Sequence, residues 1–360
     1  MKKIILSATG AVTSLLPLRL RHMIAKSLLE DRVLVRECGY LYLSSLARKL
    51  NVVQLSASGQ YGTMTSSSND LNILKKYAET GRWAPELTKR LKLFFADSGG
   101  TYLDIGANIG MTTIPIAQHN EHVKCYAFEP EPVNYRNLVR NIAENCPASN
   151  VETYKLALHE REDMLPFEIA DGNLGDHRLH IETDLPAKQD EVGRKIIEVR
   201  CARLDDLPIE LTGPVFVKID TQGAEPFVFA GGRRTLARAD AILVEWSPYH
   251  MARLGGDPNL VLRFLEEHFN HGQIEQTDAK AGQQGESGPM TEIATHLQST
   301  ITKWRDDPFS YVDVVATRVP SMVQSGSCVA RPSSADGQIP RHIEPENPAR
   351  EPRECLPGDA

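Results

Sequence analysis

The sequence of 360 residues contains no C-x-x-C pair. Its six cysteines, Cys38, Cys125, Cys146, Cys201, Cys328 and Cys355, are scattered along the chain. That spacing offers neither a zinc site nor a disulfide framework, and reduced thiols in a cytoplasmic protein are the expectation. Positive charge is not in excess: the formal net charge is −7. No general attraction to nucleic acid or to an anionic membrane follows. No apolar run is long enough to span a bilayer. The nearest approach is Ile4–Leu15 behind Lys2 and Lys3, diluted by Ser7, Thr9, Gly10, Thr13 and Ser14. A secretory signal over residues 1–20 is the weaker alternative there to a surface helix or a disordered start. No internal repeat is visible.

Hydrophobic residues make up 41% of the chain, enough for a sizeable core. From Thr101 onward, apolar strands alternate with helices, which argues for a parallel sheet covered on both faces. The spacing predicts strands at 101–105, 122–128, 151–158, 215–220 and 241–246, helices at 110–119, 131–145 and 258–269, and final strands at 272–276 and 311–317. Residues 159–214 break this rhythm and read as a β-hairpin excursion carrying a long loop. The expected organisation is a helical and loop extension at 1–83, an α/β domain at 84–319, and a Pro-rich disordered tail at 320–360. Within the extension, Ser56–Asp70 reads as a loop and Asn69 or Asp70 as a helix cap, and Glu86–Ala96 reads as a helix at the start of the α/β domain. Residues 279–290 read as a Gly/Gln-rich loop.

The organising stretch is Thr101–Gly110, TYLDIGANIG. A strand runs into a small-residue turn and then a helix start, a corner that brings backbone close to a ligand and presents free N–H groups. It is not the dinucleotide fingerprint G-x-G-x-x-G, because Asn108 stands at the second glycine. Asp104 at the strand end disfavours a pyrophosphate and suits a ligand with a sulfonium or an amine, such as S-adenosylmethionine. An ordinary strand-to-helix turn is the bland alternative. Glu129 ends the next strand, close to the ~20-residue spacing at which an acid accepts ribose hydroxyls in related folds; a solvated acid at a helix start is its plain reading.

A third constellation is VKIDTQGAE, residues 217–225. Asp220 sits where a strand leaves the sheet, and Glu225 follows in the first helical turn. Such a pair can hold an amine, a hydroxyl or a metal, or can simply cap the helix. Lys218 is within reach of either acid. Glu245 ends the next strand and needs a partner if buried. His177 and Arg178 in the excursion loop, and His250, are acid–base or substrate candidates, although a lone loop histidine is more often just exposed.

With these anchors, the sequence resembles the FkbM-type S-adenosylmethionine-dependent methyltransferases. The motifs that carry the resemblance are LDIGANIG at 103–110, FEPEPVNYRNLVRNI at 128–142, LAL at 156–158, RLDDL at 203–207, VKIDTQGAEPFVFAGG at 217–232 and LVEW at 243–246. Gln222 departs from the glutamate usual in the family, which lowers the local charge. The resemblance implies a Rossmann-like class I methyltransferase fold, an α/β architecture with a seven-stranded, mostly parallel sheet whose last strand is antiparallel. It implies O-methylation of a sugar, polysaccharide or natural-product hydroxyl, so a small-molecule or glycan acceptor. By the same resemblance Asp104, Gly106, Asn108 and Gly110 surround the methionine part of S-adenosyl-L-methionine, Glu129 binds its ribose, and Ala157 and Leu158 flank its adenine. Asp220 is the expected base, with Glu225 and His177 behind it. The competing readings are a divalent ion held at Asp220 with Glu225 or Glu245, a donor-binding subunit without catalysis and, last, a nicotinamide dehydrogenase.

Overall fold

A computed structural model describes residues 17, 19, 20, 23, 39–96, 98–146, 150–181, 191–275, 285–307 and 309–318. The readings of residues 1–20 and of the 320–360 tail fall wholly or largely outside the described residues, as does 279–284 of the expected 279–290 loop, whose remainder holds a short strand, Ser287–Pro289, and the start of a helix at Met290.

In chain order the extension supplies α1 (Tyr40–Lys49), β1 (Gln54–Gly59), β2 (Gly62–Ser67) and α2 (Ile73–Thr80), and α3 (Pro85–Phe94) leads into the sheet. Then come β3 (Gly100–Ile105), α4 (Thr113–Ala117), β4 (Val123–Phe128), α5 (Pro132–Asn145) and β5 (Val151–Tyr154). The excursion holds β6 (Ala157–Leu158), β7 (Asp163–Ile169), β8 (Arg178–Leu179) and β9 (Lys195–Ala202). The alternation resumes with β10 (Val215–Ile219), α6 (Glu225–Gly231), α7 (Arg233–Leu236), β11 (Ala241–Trp246), α8 (Pro248–Arg253) and α9 (Pro258–His268). The chain closes with β12 (His271–Glu275), β13 (Ser287–Pro289), α10 (Met290–Trp304) and β14 (Val312–Thr317).

The main sheet runs β13-β12-β14-β11-β10-β3-β4-β5. The five strands β11, β10, β3, β4 and β5 pair in parallel, and β14 is antiparallel to both β11 and β12. This is the expected seven-stranded sheet with its antiparallel last strand, plus the short edge strand β13. Burial alternates with period two. Leu103, Ile105, Val217, Ile219, Ile242 and Val244 join the core under α6, α9 and α10. Tyr102, Phe216, Ala241 and Leu243 join the other, with Leu91 and Phe95 around α3, Ile114 of α4, and Tyr40, Leu55, Met64 and Leu74 of the extension. Both faces are therefore covered, which lets the parallel strands be apolar throughout.

Three expectations need correction. Ser56–Asp70 is not a loop but most of a β-hairpin, paired Ser56↔Thr65 and Ala57↔Met64. The Ser56 and Thr65 hydroxyls bond each other at 2.8 Å, so hydroxyl pairs let a polar strand be buried without an apolar stripe. Asp70 does cap the next helix, accepting from Ile73 N at 2.8 Å and Leu74 N at 3.1 Å. The expected strand 151–158 breaks at Lys155–Leu156, because β5 pairs with β4 whereas β6 pairs with β9 in a separate four-stranded sheet. Helix α10 was not anticipated, although Met290, Ile293, Ala294 and Leu297 carry a helical spacing and are all buried.

The hairpin is held against α5 by asparagines at four-residue spacing. Asn137 accepts from Gln54 Nε2 at 2.8 Å. Asn141 accepts from Thr65 N at 2.8 Å and donates to Thr65 O at 3.0 Å and to Ile109 O at 2.9 Å. Asn145 repeats the pattern on Thr63 N and Thr63 O, at 3.1 and 2.9 Å. These amides serve the backbone edge of β2 as a neighbouring strand would. Asn141→Leu strands that edge without donors or acceptors, and urea unfolding should show a loss of about 2–4 kcal/mol.

Candidate active site

The sheet order reverses between β3 and β10, so a crevice opens beyond their C-terminal ends. Their connections set its floor. Gly106 has φ 82°, and a Cβ there would lie 1.9 Å from Asp220 O; only glycine lets these two strand ends approach. The corner that follows is closed inward. Gly106 N and Ala107 N both donate to Phe128 O, at 3.1 and 2.9 Å, and Gly110 N donates to Ala107 O at 2.9 Å. Asn108, at φ 52°, donates its N–H to Glu129 Oε2 at 2.9 Å, and its own Oδ1 accepts from Ile109 N at 2.9 Å. The N–H groups of residues 106–110 are thus used within the protein. Gly110 is also at positive φ, 93°, with Leu138 where a Cβ would press.

Asp104 does not line the crevice. It is fully buried, accepts from the Thr112 and Thr113 hydroxyls at 2.6 Å each, and lies 3.3 Å from Lys218 Nζ. Burial pulls the Lys218 ammonium down, but Asp104 and then Asp220 outweigh it and raise its pKa. Lys218 also donates to Gly106 O at 3.1 Å and sits 3.6 Å from Asp220 Oδ2. One buried cation therefore connects β3, the glycine turn and Asp220.

Glu129 is 5% exposed, and its Oε1 accepts from Glu131 N at 2.8 Å. Burial is the largest influence and pushes its pKa up to about 8, against the opposing pull of those N–H donors. Ala157 is half-buried, whereas Leu158 is 2% exposed within the core, so of the two only Ala157 offers surface.

Asp220 keeps 39% of its side chain exposed. Glu225 does not share that position. It is 1% exposed, its Oε1 accepts from Thr221 N and Thr221 Oγ1 at 2.8 and 2.9 Å, and its Oε2 accepts from Gly223 N at 2.9 Å. As a base it is corrected to a clamp on the 221–223 turn. His177 is corrected too: its Nδ1 accepts from Ala170 N at 2.9 Å, and burial lowers its pKa to about 4, so it is a weak base. Arg178 is 1% exposed and paired with Glu191 at 2.9 Å and Asp176 at 2.6 Å. Arg194 and Arg253 complete this buried ionic cluster with Glu168, seating the excursion on α8. The loop 171–176 meets the glycine corner, because Leu174 O accepts from Asn108 Nδ2 at 2.7 Å and from Asn134 Nδ2 at 3.1 Å.

A row of carboxyls, not read from the sequence as a row, crosses the strand ends. Glu245 of β11 faces Asp313 of β14, which faces Glu275 of β12. Asp220 follows Ile219, whose partner is Val244, so it stands beside Glu245. Lys218 sits at one end and Arg90 of α3, bonded to Glu275, at the other. With four acids and two cations, the middle pair bears the surplus. Burial, then Asp220, Glu225 and Asp313, raise the Glu245 pKa well above its ordinary value. Burial, then Asp220 and Glu275, raise that of Asp313 to about 7. The strand-end positions of Asp220 and Glu245 were legible in the sequence, but Asp313 and Glu275 needed the β11–β14 and β12–β14 registers.

Residues 104–272 match the family model of the methyltransferase FkbM domain. A curated relative, the 2-O-methyltransferase NoeI of Sinorhizobium fredii (strain NBRC 101917 / NGR234), is 28% identical over 158 residues, which are 40% of this chain and 62% of the relative. A methyltransferase FkbM from Methylobacillus flagellatus KT is similar at 15% identity and TM-score 0.35, over 72% of this chain and 56% of that one. TYW2 of M. jannaschii, in complex with AdoMet, is similar at 13% identity and TM-score 0.32, over 74% and 87%. The chain thus spans less than two thirds of NoeI and of the M. flagellatus protein. The matched residues include Gly106, Glu129, Asp220 and Glu245; Arg90, Glu275 and Asp313 lie outside them. Among the described residues, no helix is long and apolar enough to cross a membrane.

The raised Asp313 pKa makes a stability prediction with a definite sign. The folded state holds this proton more tightly than the unfolded one, so stability is lost as pH rises from about 3.8 through about 7. Asp313→Asn should flatten that decline and raise the melting temperature at pH 8 by a few degrees, about 1 kcal/mol or more, in thermal melts taken from pH 5 to 8.

Proposed function

We propose that this methyltransferase uses S-adenosylmethionine to O-methylate a hydroxyl of a sugar, polysaccharide or natural product, with Asp220 as the general base. The observation that carries the reading is the half-exposed Asp220 carboxylate at the switch point, backed by the buried Lys218 ammonium. The 2-O-methyltransferase in the name of NoeI supports a hydroxyl acceptor.

When bound, S-adenosylmethionine supplies a methyl group made electrophilic by its sulfonium. Glu129 accepts the ribose hydroxyls, and Gly106, Asn108 and Gly110 shape the turn against which the methionine part lies. Asp104 acts from inside, by holding Lys218 and through it the turn. Ala157 borders the adenine; Leu158 only packs beneath it. Asp220 would take the proton of the acceptor hydroxyl, and the remaining task of the site would be alignment. An acceptor bound in the crevice meets the carboxyl row and the 171–176 loop.

Two experiments test this. Incubating sugar-containing extracts with methyl-labelled donor should yield a labelled, acid-stable ether by mass spectrometry; label confined to nitrogen or carbon would sink the O-methyl reading. Asp220→Asn should cut kcat by about 10²–10⁴ while donor affinity stays unchanged; intact turnover at saturation would remove Asp220 as base.

Glu129 gives a pH dependence for donor binding. Below about pH 8 its carboxyl holds a proton in the free protein, and a carboxylate is the better acceptor for two hydroxyls. Calorimetry should therefore show S-adenosylhomocysteine binding tighten as pH rises from 6.5 towards 8 and then level. Glu129→Gln should abolish the slope and weaken binding about 10–100-fold at pH 8.5.

A further inference from the structure

The Gln222 side chain is a neutral group placed between two members of the carboxyl row. Its Nε2 donates to Asp220 Oδ1 at 2.9 Å and to Glu245 Oε2 at 2.9 Å. Both amide hydrogens are thereby committed, one to each acid. The backbone that aims it is held from below: Glu225 takes the N–H of Thr221 and of Gly223, the residues on either side. Between them Gln222 adopts φ 57°, a conformation few side chains other than Asn and Asp occupy. The clamp thus presents this amide, in an uncommon backbone conformation, to the two carboxyls.

We propose that Gln222 is a positioning residue for the transfer step, its amide tying Asp220 to Glu245 without adding charge and so fixing where Asp220 meets the acceptor hydroxyl. The inference rests on the reading of Asp220 as the base. A carboxylate at position 222 would put a third acid against Asp220 and Glu245. A hydrocarbon there would leave both oxygens without their donor. The amide supplies two donors and no charge, in a row that already has two more acids than cations.

The charged and titratable groups around this position are Asp220 with Lys218 of β10, and Asp104 of β3 behind that lysine, Glu225 of α6, Glu245 of β11, His250 of α8 against Gly223 and, further along the row, Asp313 of β14 and Glu275 of β12 with Arg90 of α3. The Gln222 hydrogen bond favours the ionised form of Glu245, and burial and its acidic neighbours oppose it. Removing the amide therefore makes ionisation of Glu245 harder.

The test compares Q222M, which keeps the volume but has no donor, with Q222E and Q222N in the full chain. With the acceptor found by the labelled-donor screen, Q222M should lower kcat by about 10–100-fold at neutral pH and leave the donor KM unchanged. Its acid limb of kcat should move up by about one pH unit, and that of Q222E further. Q222N suits the positive φ, keeps an amide one methylene shorter, and should show the same direction of shift in a chain as stable as wild type. Carbon-13 titration of the carboxyls, with S-adenosylhomocysteine as probe and no turnover needed, should show the Glu245 midpoint rising in all three variants. A residue that merely supports the fold would lower the melting temperature and leave both the limb and that midpoint in place, and this result overturns the proposal. If Asp220→Asn abolishes turnover but the Gln222 variants show no shift, this inference fails alone; if Asp220→Asn turns over normally, the base assignment fails whatever Gln222 does.

Discussion

The contact on which the rest depends is the one between the ends of β3 and β10. Two strands come so close that only glycine fits at residue 106, and a buried lysine of the second strand holds both the aspartate and the glycine turn of the first. A buried ion pair is costly to desolvate, and its justification lies in specificity of position more than in stability. Lys218 donates to the carbonyl of Gly106 and stands between Asp104 and Asp220, so the shape of the corner and the charge at the crevice are set by the same ammonium. Burial of Asp104 and exposure of Asp220 divide the labour: one acid fixes the cation, and the other is presented to the crevice.

Around that contact the fold brings distant segments to one place. Helix α3, ahead of the sheet, lends Arg90, the final strands lend Asp313 and Glu275, and the excursion lends the Leu174 carbonyl to Asn108. The FkbM-matched residues contain the switch point, while part of the charged row comes from outside them. The extension also shares its apolar core with the sheet, so Tyr40 and Met64 belong to the same packing as Tyr102 and Phe216.

Much of this was legible in the chain itself. The strands ending at Asp104, Glu129, Asp220 and Glu245 are short apolar runs bounded by Gly or Pro, and their order gave the sheet and the position of the crevice. What the sequence did not disclose is which acids face outward. Asp104, Glu225 and Asp220 look alike in one dimension; only the partners Thr112, Thr113, Thr221 and Gly223 show that the first two are spent inside. The hairpin was illegible for a different reason. Its burial rests on Ser–Thr pairs and on amides from α5, eighty residues away, and no local hydrophobic period announces it. His177 misled in the usual manner of a loop histidine, since its burial and its Ala170 N–H donor come from tertiary packing.

The asparagines along α5 have one more consequence. A two-stranded ribbon with an open side is a template onto which another chain can add a strand, the first step of swapped dimers and ordered aggregates. On β2 the donors and acceptors that such a strand would need are already engaged by Asn141 and Asn145. The same side chains that anchor the hairpin thus close it to recruitment, so the ribbon ends where the helix begins.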